Sequence, residues 1–297
     1  KDEIFTKCLP KSSMIITKTP LRMSLIGGGT DLPSFYKNNK YGLVVSAAIN
    51  KYIYVSVKKT SSLFDEKFRL NYSHTELVKD IEKIENPIIR ESLKFLNIDD
   101  YLYISTIADV PASTGLGSSS AFCVGLLNAL YKLKGVVAKK DKLAEEAAYI
   151  EIEVLKRSIG KQDHYATAFG GLRSYKFLDN EKTDVSEIEI SNDNKKKLFN
   201  SIISFWTGIT RSSESTLKEQ NLRQDENLEN LLKMRYLAIE MIDLLENNFL
   251  NIEQLGKLIH SSWILKKTLA SNISNDLVDK AYKTCLNQGA IGGKISG

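Results

Sequence analysis

The sequence predicts an α+β protein organised in two lobes. Three observations carry that prediction. Runs rich in Val, Ile and Tyr, several of them alternating apolar with polar, recur through the first 178 residues. Two amphipathic stretches, 228–245 and 252–269, dominate the last third of the chain. Between these regions, residues 179–200 are polar and charged, with Lys195, Lys196 and Lys197 in a row most simply read as a solvated face. That stretch is the expected junction of an N-terminal lobe at 1–190 and a C-terminal lobe at 191–297. A chain of 297 residues is long enough to bury a sizeable core in each.

The elements follow in order. Met14 to Ile26 reads as a strand interrupted at Thr19-Pro20 and ending in Gly27-Gly28-Gly29, then Thr30-Asp31. A glycine triplet at a strand end predicts a turn. Bare backbone beside one carboxylate also suits a polyhydroxylated ligand, because Asp31 can accept two hydroxyl hydrogen bonds. A capped turn is the plainer alternative. Residues 42–58, 68–72 and 101–108 read as strands, and 76–96 as a helix broken at Pro87. Asp141 is the expected N-cap of a helix running to Ser158, with Leu143, Ala147, Ile150 and Val154 at approximately helical spacing. Glu151 and Glu153 lie on that helix about 200° apart at 100° per residue, so only one faces a site. Gly160 ends it and Lys161-Gln162-Asp163 follows, a carboxylate either meeting a ligand or capping the next helix. Residues 172–178 and 202–206 read as strands, the second leading to Thr210-Arg211-Ser212-Ser213, where a guanidinium beside hydroxyls suits a phosphate.

The most informative stretch is 111–121, P-A-S-T-G-L-G-S-S-S-A, set between a predicted strand and a predicted helix at 122–132. That order places unpaired backbone N–H groups and the positive end of a helix dipole where an anion can sit. Gly115 and Gly117 permit close approach, and Ser118, Ser119 and Ser120 add hydroxyls for oxygens or a hard cation. It is not a Walker loop, because no lysine follows Gly117, and not a dinucleotide fingerprint, because Ser120 replaces the third glycine. The segment 289–296, G-A-I-G-G-K-I-S, mimics a Walker loop with spacing one residue short. Protein-kinase signatures are absent.

Composition narrows the function classes. With 42% hydrophobic and 26% charged residues the chain has the make-up of a soluble globular protein. A net charge of +5, dispersed along the chain, favours a small anionic substrate over nucleic acid. Cys8, Cys123 and Cys285 are odd in number and far apart, which predicts reduced thiols in a cytoplasmic protein and no zinc cluster. No apolar run is long enough for a membrane span, and no signal peptide is recognised at the start. His74, His164 and His260 are too scattered to predict a histidine metal site.

Taken together, residues 19–31, the loop at 111–121, Gly160-Lys161-Gln162-Asp163 and the glycine segment at 289–297 resemble the motifs of the GHMP small-molecule kinases. The G-G-G-T-D form, the K-Q-D segment and Trp263-x-x-Lys266-Lys267-x-Leu269 point within that family to a sugar phosphate kinase. The resemblance implies a two-lobed fold, the N-terminal lobe like ribosomal protein S5 domain 2 and the C-terminal lobe ferredoxin-like. It implies an ATP- and Mg²⁺-dependent transferase acting on the anomeric hydroxyl of a heptose 7-phosphate, on the route to surface polysaccharide. Ser113, Thr114, Gly115, Leu116, Gly117, Ser118, Ser119 and Ser120 would wrap the ATP phosphates. Ser118 or Ser119 would reach Mg²⁺ together with Glu153, preferred over Glu151. Asp163 matches the catalytic aspartate, and Arg22 the basic residue paired with it. Gly27, Gly28, Gly29, Thr30 and Asp31 match the sugar-binding turn, and Arg211, Lys266 and Lys267 are the candidates for the distal phosphate. The family's third motif runs on into further glycines, of which this chain carries the part to Gly297. The rival readings are an anomeric kinase for a free sugar of the fucose or galactose type, and a non-catalytic sensor of ATP and sugar.

Overall fold

A computed structural model describes residues 14–208 and 213–296. Its centre is a seven-stranded sheet built in the first two-thirds of the chain: β1 (Met14–Ile26), β2 (Tyr41–Lys59), β3 (Phe68–Asn71), β4 (Thr75–Val78), β5 (Leu102–Ala108), β6 (Leu172–Leu178) and β7 (Thr183–Glu187). The order is β4-β3-β5-β2-β6-β7, with β1 paired to β2. All pairings are antiparallel except β3 with β5. The 19-residue β2 is the spine. It bonds β1 along most of its length, β6 through residues 41–47 and β5 through residues 53–59.

Alternation along β2 separates the cores it serves, since successive side chains point to opposite faces. Val44 packs with Tyr36, Tyr165, Tyr175 and Phe177. Its neighbour Val45 packs with Leu25, Ala238, Met241 and Leu245. Further along, Ile53, Val55 and Val57 join Leu70, Ile104, Leu126 and Leu130 in the largest core.

The helices are α1 (Pro33–Tyr36), α2 (Pro87–Phe95), α3 (Ser118–Leu133), α4 (Lys140–Ala148), α5 (Gln162–Phe169), α6 (Asn192–Asn200), α7 (Ser213–Leu222), α8 (Gln224–Glu246), α9 (Ile252–Thr268) and α10 (Asp276–Asn287). α3 lies on β1 and β2, so close that the Thr17 hydroxyl donates to the Gly125 carbonyl at 2.9 Å. α8 packs on the same two strands and on α9, carrying the C-terminal helices to the mouth of the sheet. None of the helices among the described residues is long and apolar enough to cross a membrane. Cys123 and Cys285 are free thiols, and Cys8 lies outside the described residues.

Four expectations need correction. Residues 76–96 are not one helix. The first part forms β4 and a 3₁₀ turn, Ile81–Lys83, and α2 begins at Pro87 with Asn86 as its cap. Glu76 is what recruits the first part to the sheet, because its carboxylate accepts from Tyr72 Oη and the Glu85 and Asn86 N–H groups. Asp141 is not an N-cap. Lys139 holds that position, and α4 passes into a π-helical turn, Tyr149–Val154, before Ser158. Within the polar stretch 179–200, for which the sequence predicts no element, the chain forms β7 and α6, whose N-cap is Ser191. Residues 202–206 form no strand. Among the described residues no strand pairs with their backbone, and Ile203, Phe205 and Trp206 are exposed. The described residues after 190 are therefore helical or coil, without the strands a ferredoxin-like lobe implies.

Candidate active site

The site is built from four segments that meet at one end of β1. The loop at 111–117 coils through left-handed backbone at Ser113, Gly115 and Gly117 before α3 begins. Gly117 is the N-cap of α3 with φ of 75°, a conformation that costs residues with a Cβ, and no side chain caps the helix. The first N–H groups of a 16-residue helix are thereby left facing outward without side-chain acceptors. Thr114 Oγ1 and Ser118 Oγ are buried without partners among the described residues. Ser113, Leu116 and Gly115 complete the loop, and its last turn is strapped to β1 by the Arg22 N–H donating to the Leu116 carbonyl at 3.1 Å.

Arg22 makes the central contact. Its Nε donates to Asp163 Oδ1 at 2.7 Å and its Nη2 to Asp163 Oδ2 at 2.6 Å, the two-pronged geometry a guanidinium makes with a carboxylate. Its Nη1 donates to the Gly115 carbonyl at 2.7 Å, so one side chain ties the carboxylate to the loop. The Arg22 side chain is 5% exposed and that of Asp163 24%. Asp163 stands in the first turn of α5 and makes no capping bond there, which leaves its carboxylate for Arg22.

The glycine turn is pinned from both sides. Thr30 Oγ1 donates to the Gly27 carbonyl at 2.8 Å and accepts from the Leu43 N–H at 3.0 Å. Asp31 is buried, accepting from the Gly29 N–H at 2.9 Å and the Gln162 N–H at 3.2 Å. Burial drives its pKa up, against the pull of those two N–H groups. Around Gly28 and Gly29, three buried atoms have no partner among the described residues: Ser24 Oγ, Gln162 Oε1 and Gln220 Nε2. Lys266 Nζ joins them, donating to the Gly28 carbonyl at 3.2 Å and Gln220 Oε1 at 3.1 Å. Burial brings its pKa down to about 8, with the charge of Asp31 pulling the other way. The turn is thus lined by unspent hydrogen-bonding capacity of both kinds, which matches a hydroxylated ligand.

A second carboxylate faces the loop from behind, and it is Glu151. Ser119 Oγ donates to Glu151 Oε1 at 2.6 Å, Ser120 Oγ to Oε2 at 3.2 Å, and His164 Nε2 lies 2.9 Å from Oε2. Arg157 Nη1 donates to the same carboxylate and to Ser119 Oγ. Burial would raise the Glu151 pKa, but the hydrogen bond and charge of His164, then Ser119 and Arg157, hold it down to about 2. Glu153, the expected partner of the serines, is 56% exposed and pairs with Lys156. Its turn of the helix carries it away from the loop.

The remaining candidates divide. Lys266 reaches the site, whereas Lys267 is turned to Asp279 at 3.3 Å. Arg211 lies outside the described residues. Sequence reasoning missed Ser24, Gln162, Gln220, Arg157, His164 and Lys294. Two of these had a legible signal: Ser24 shares the strand face of Arg22, and Gln162 is the neighbour of Asp163.

Comparison with known proteins identifies the family. Residues 77–171 match the family model of the GHMP kinases N terminal domain. A D-glycero-alpha-D-manno-heptose 7-phosphate kinase from Campylobacter jejuni is 31% identical, over 95% of this chain and 86% of its own length. A galactokinase from Pyrococcus furiosus is 26% identical, over 96% and 86%. Among solved structures, a D-glycero-D-manno-heptose 1-phosphate kinase from Bacteroides thetaiotaomicron superposes with a TM-score of 0.77 at 23% identity, covering 96% of this chain and 86% of that one. The chain belongs to the GHMP kinase family and is a phosphotransferase with an alcohol group as acceptor, similar along nearly its whole length to a heptose phosphate kinase.

Proposed function

We propose that the chain transfers the terminal phosphoryl group of ATP to the anomeric hydroxyl of a heptose 7-phosphate, giving the 1,7-bisphosphate. One observation carries the reading. Arg22 grips Asp163 with two donors and the Gly115 carbonyl with a third, coupling a would-be base to a loop shaped for phosphates.

In this scheme the N–H groups at the start of α3, with Thr114 and Ser118, hold the triphosphate, and the Gly27–Asp31 turn holds the sugar. Asp31, Lys266, Gln162 and Gln220 take its hydroxyls and distal phosphate. Asp163 orients the anomeric hydroxyl and receives its proton, while Arg22 holds that carboxylate in place with two donors and faces the charge that develops in transfer.

The residues present also fit a hard cation. Glu151 is ionised, Ser118 Oγ has no partner among the described residues, and Ser119 Oγ, between Glu151 and Arg157, is a second hydroxyl oxygen beside it. One carboxylate, serine oxygens and substrate phosphates are the donor set that Mg²⁺ takes. When bound, Mg²⁺ supplies charge neutralisation at the phosphates.

The test has two arms. Heptose 7-phosphate is compared with free fucose, galactose and mannose in an ADP-release assay with ATP and Mg²⁺, and the heptose phosphate is expected to give the highest kcat/KM. Preference for a free sugar would replace the substrate while leaving the chemistry. In the second arm, Asp163→Asn is expected to leave ATP binding within a few-fold and to lower turnover at least about 100-fold. Near-normal turnover would remove Asp163 from the mechanism, and nucleotide binding without turnover on any sugar would favour the sensor.

A further inference from the structure

We propose that Lys294 is a catalytic residue, its ammonium held by the Ser24 carbonyl two residues along β1 from Arg22 and contacting an oxygen of the phosphoryl group in transfer. The proposal rests on the reading of the site given above.

The position of Lys294 is built by close packing. It lies in the segment 289–296, which follows α10 as coil. Gly292 packs directly on the backbone of α9: a Cβ there would stand 2.0 Å from the Gly256 carbonyl oxygen. Gly256 is equally intolerant, because its own Cβ would meet Ile291 at 2.8 Å. Gly293 lies against the Tyr282 ring, and Ile295 packs in the core with Trp263 and Leu269. Two glycine contacts and one apolar anchor thus fix the backbone on both sides of Lys294. The side chain crosses from the C-terminal helices to β1, where Nζ donates to the Ser24 carbonyl at 2.9 Å.

Ser24 stands two residues from Arg22 on β1, and it is the Ser24 backbone carbonyl that accepts from Lys294. Lys294 is therefore delivered to the same end of the sheet as the Arg22–Asp163 pair. The charged groups facing it confirm that placement: Arg22 from β1, Lys266 from α9 and Asp163 from α5. Burial, then repulsion from Lys266 and Arg22, brings its pKa down to about 7, with Asp163 pulling the other way. An ammonium has three donors, and the described residues accept one of them. Three cations, Arg22, Lys266 and Lys294, thus face two carboxylates, Asp31 and Asp163. A buried excess of positive charge is costly without an anion and is neutralised by phosphoryl oxygens.

In the step itself, the bond from the γ-phosphorus to the bridging oxygen breaks, and its electron pair leaves on ADP. The bond from the acceptor oxygen to phosphorus forms, and the hydroxyl proton passes to the Asp163 carboxylate. Lys294 donates hydrogen bonds throughout and is not consumed. Asp163 cannot serve the phosphoryl oxygens because it is negative, and two of the donors of Arg22 are already spent on it.

The experiment uses the full chain and the best acceptor from the sugar panel, with Asp163→Asn alongside. Lys294→Met keeps length and removes charge. It is expected to lower kcat by about 10²–10³, leave KM for the sugar within about threefold, and raise the melting temperature at pH 7 because a buried charge is gone. Lys294→Arg is expected to recover part of the loss. Turnover of Lys294→Met within threefold of wild type, beside an inactive Asp163→Asn, would overturn the proposal and leave the site intact. An active Asp163→Asn would instead overturn the underlying reading. Lost turnover with a markedly lowered melting temperature would make Lys294 structural and also overturn it. A measurement without turnover completes the test: amine acetylation of Lys294, followed by mass spectrometry. A non-hydrolysable ATP analogue with Mg²⁺ is expected to slow labelling at least fivefold, and an unchanged rate would count against the contact.

Discussion

Asp31 shows how tightly single residues are constrained around the turn. Its carboxylate fills the space where Gly160 lacks a side chain, and a Cβ on Gly160 would stand 1.8 Å from Asp31 Oδ2. The Gln162 N–H, two residues on, bonds that same oxygen. Gly160→Ala must therefore push Asp31 off its two N–H donors. The expected outcome is a KM for the sugar raised at least about tenfold, with KM for ATP unchanged, and a stability loss of about 1–3 kcal/mol from overpacking. Steady-state kinetics and thermal melts check both. The identity of Asp31 as a candidate ligand group was legible from the G-G-G-T-D string. Its dependence on Gly160, more than a hundred residues away in sequence, was not.

At the scale of elements, the buried face of α4, continued through the π-helical turn, decides which glutamate meets the serines of α3. Ala144, Ala147 and Ala148 are buried, and Glu151 continues their stripe at spacings of seven, four and three residues. Glu153 sits nine residues past Ala144, about half a turn round from that stripe. The helical stripe is thus readable in the letters, whereas distance from Asp163 along the chain says nothing about which face a glutamate takes. We expect Glu151→Gln to raise the Mg²⁺ concentration for half-maximal turnover at least about tenfold. Glu153→Gln, on the exposed face with Lys156, is expected to leave it unchanged. Mg²⁺ titrations of both variants decide the matter, and the reverse pattern would restore Glu153.

At the scale of the molecule, the Glu151 cluster joins α3, the π-turn and α5, so its ionisation is coupled to folding. Its folded pKa of about 2 lies below the ordinary 4.5. A depressed carboxylate stabilises the fold fully above its unfolded pKa and loses that contribution as pH falls toward the folded value. The contribution is on the order of 3 kcal/mol, present above about pH 5 and lost on acidification toward pH 2. In metal-free buffer, the melting temperature of wild type is expected to fall more steeply between pH 5 and 3 than that of Glu151→Gln. Parallel slopes in a pH series of thermal melts would refute the coupling. The sequence alone determined what is local: the strands β1, β2, β3, β5 and β6, the amphipathic helices, and the turn chemistry of the glycine–serine loop, because periodicity and backbone freedom are written in neighbouring letters. Which of two adjacent lysines turns inward, and that Lys294 reaches β1 from the far end of the chain, were settled only by tertiary packing. Those contacts join segments up to 270 residues apart, and no local pattern records which buried side chain will find itself beside which.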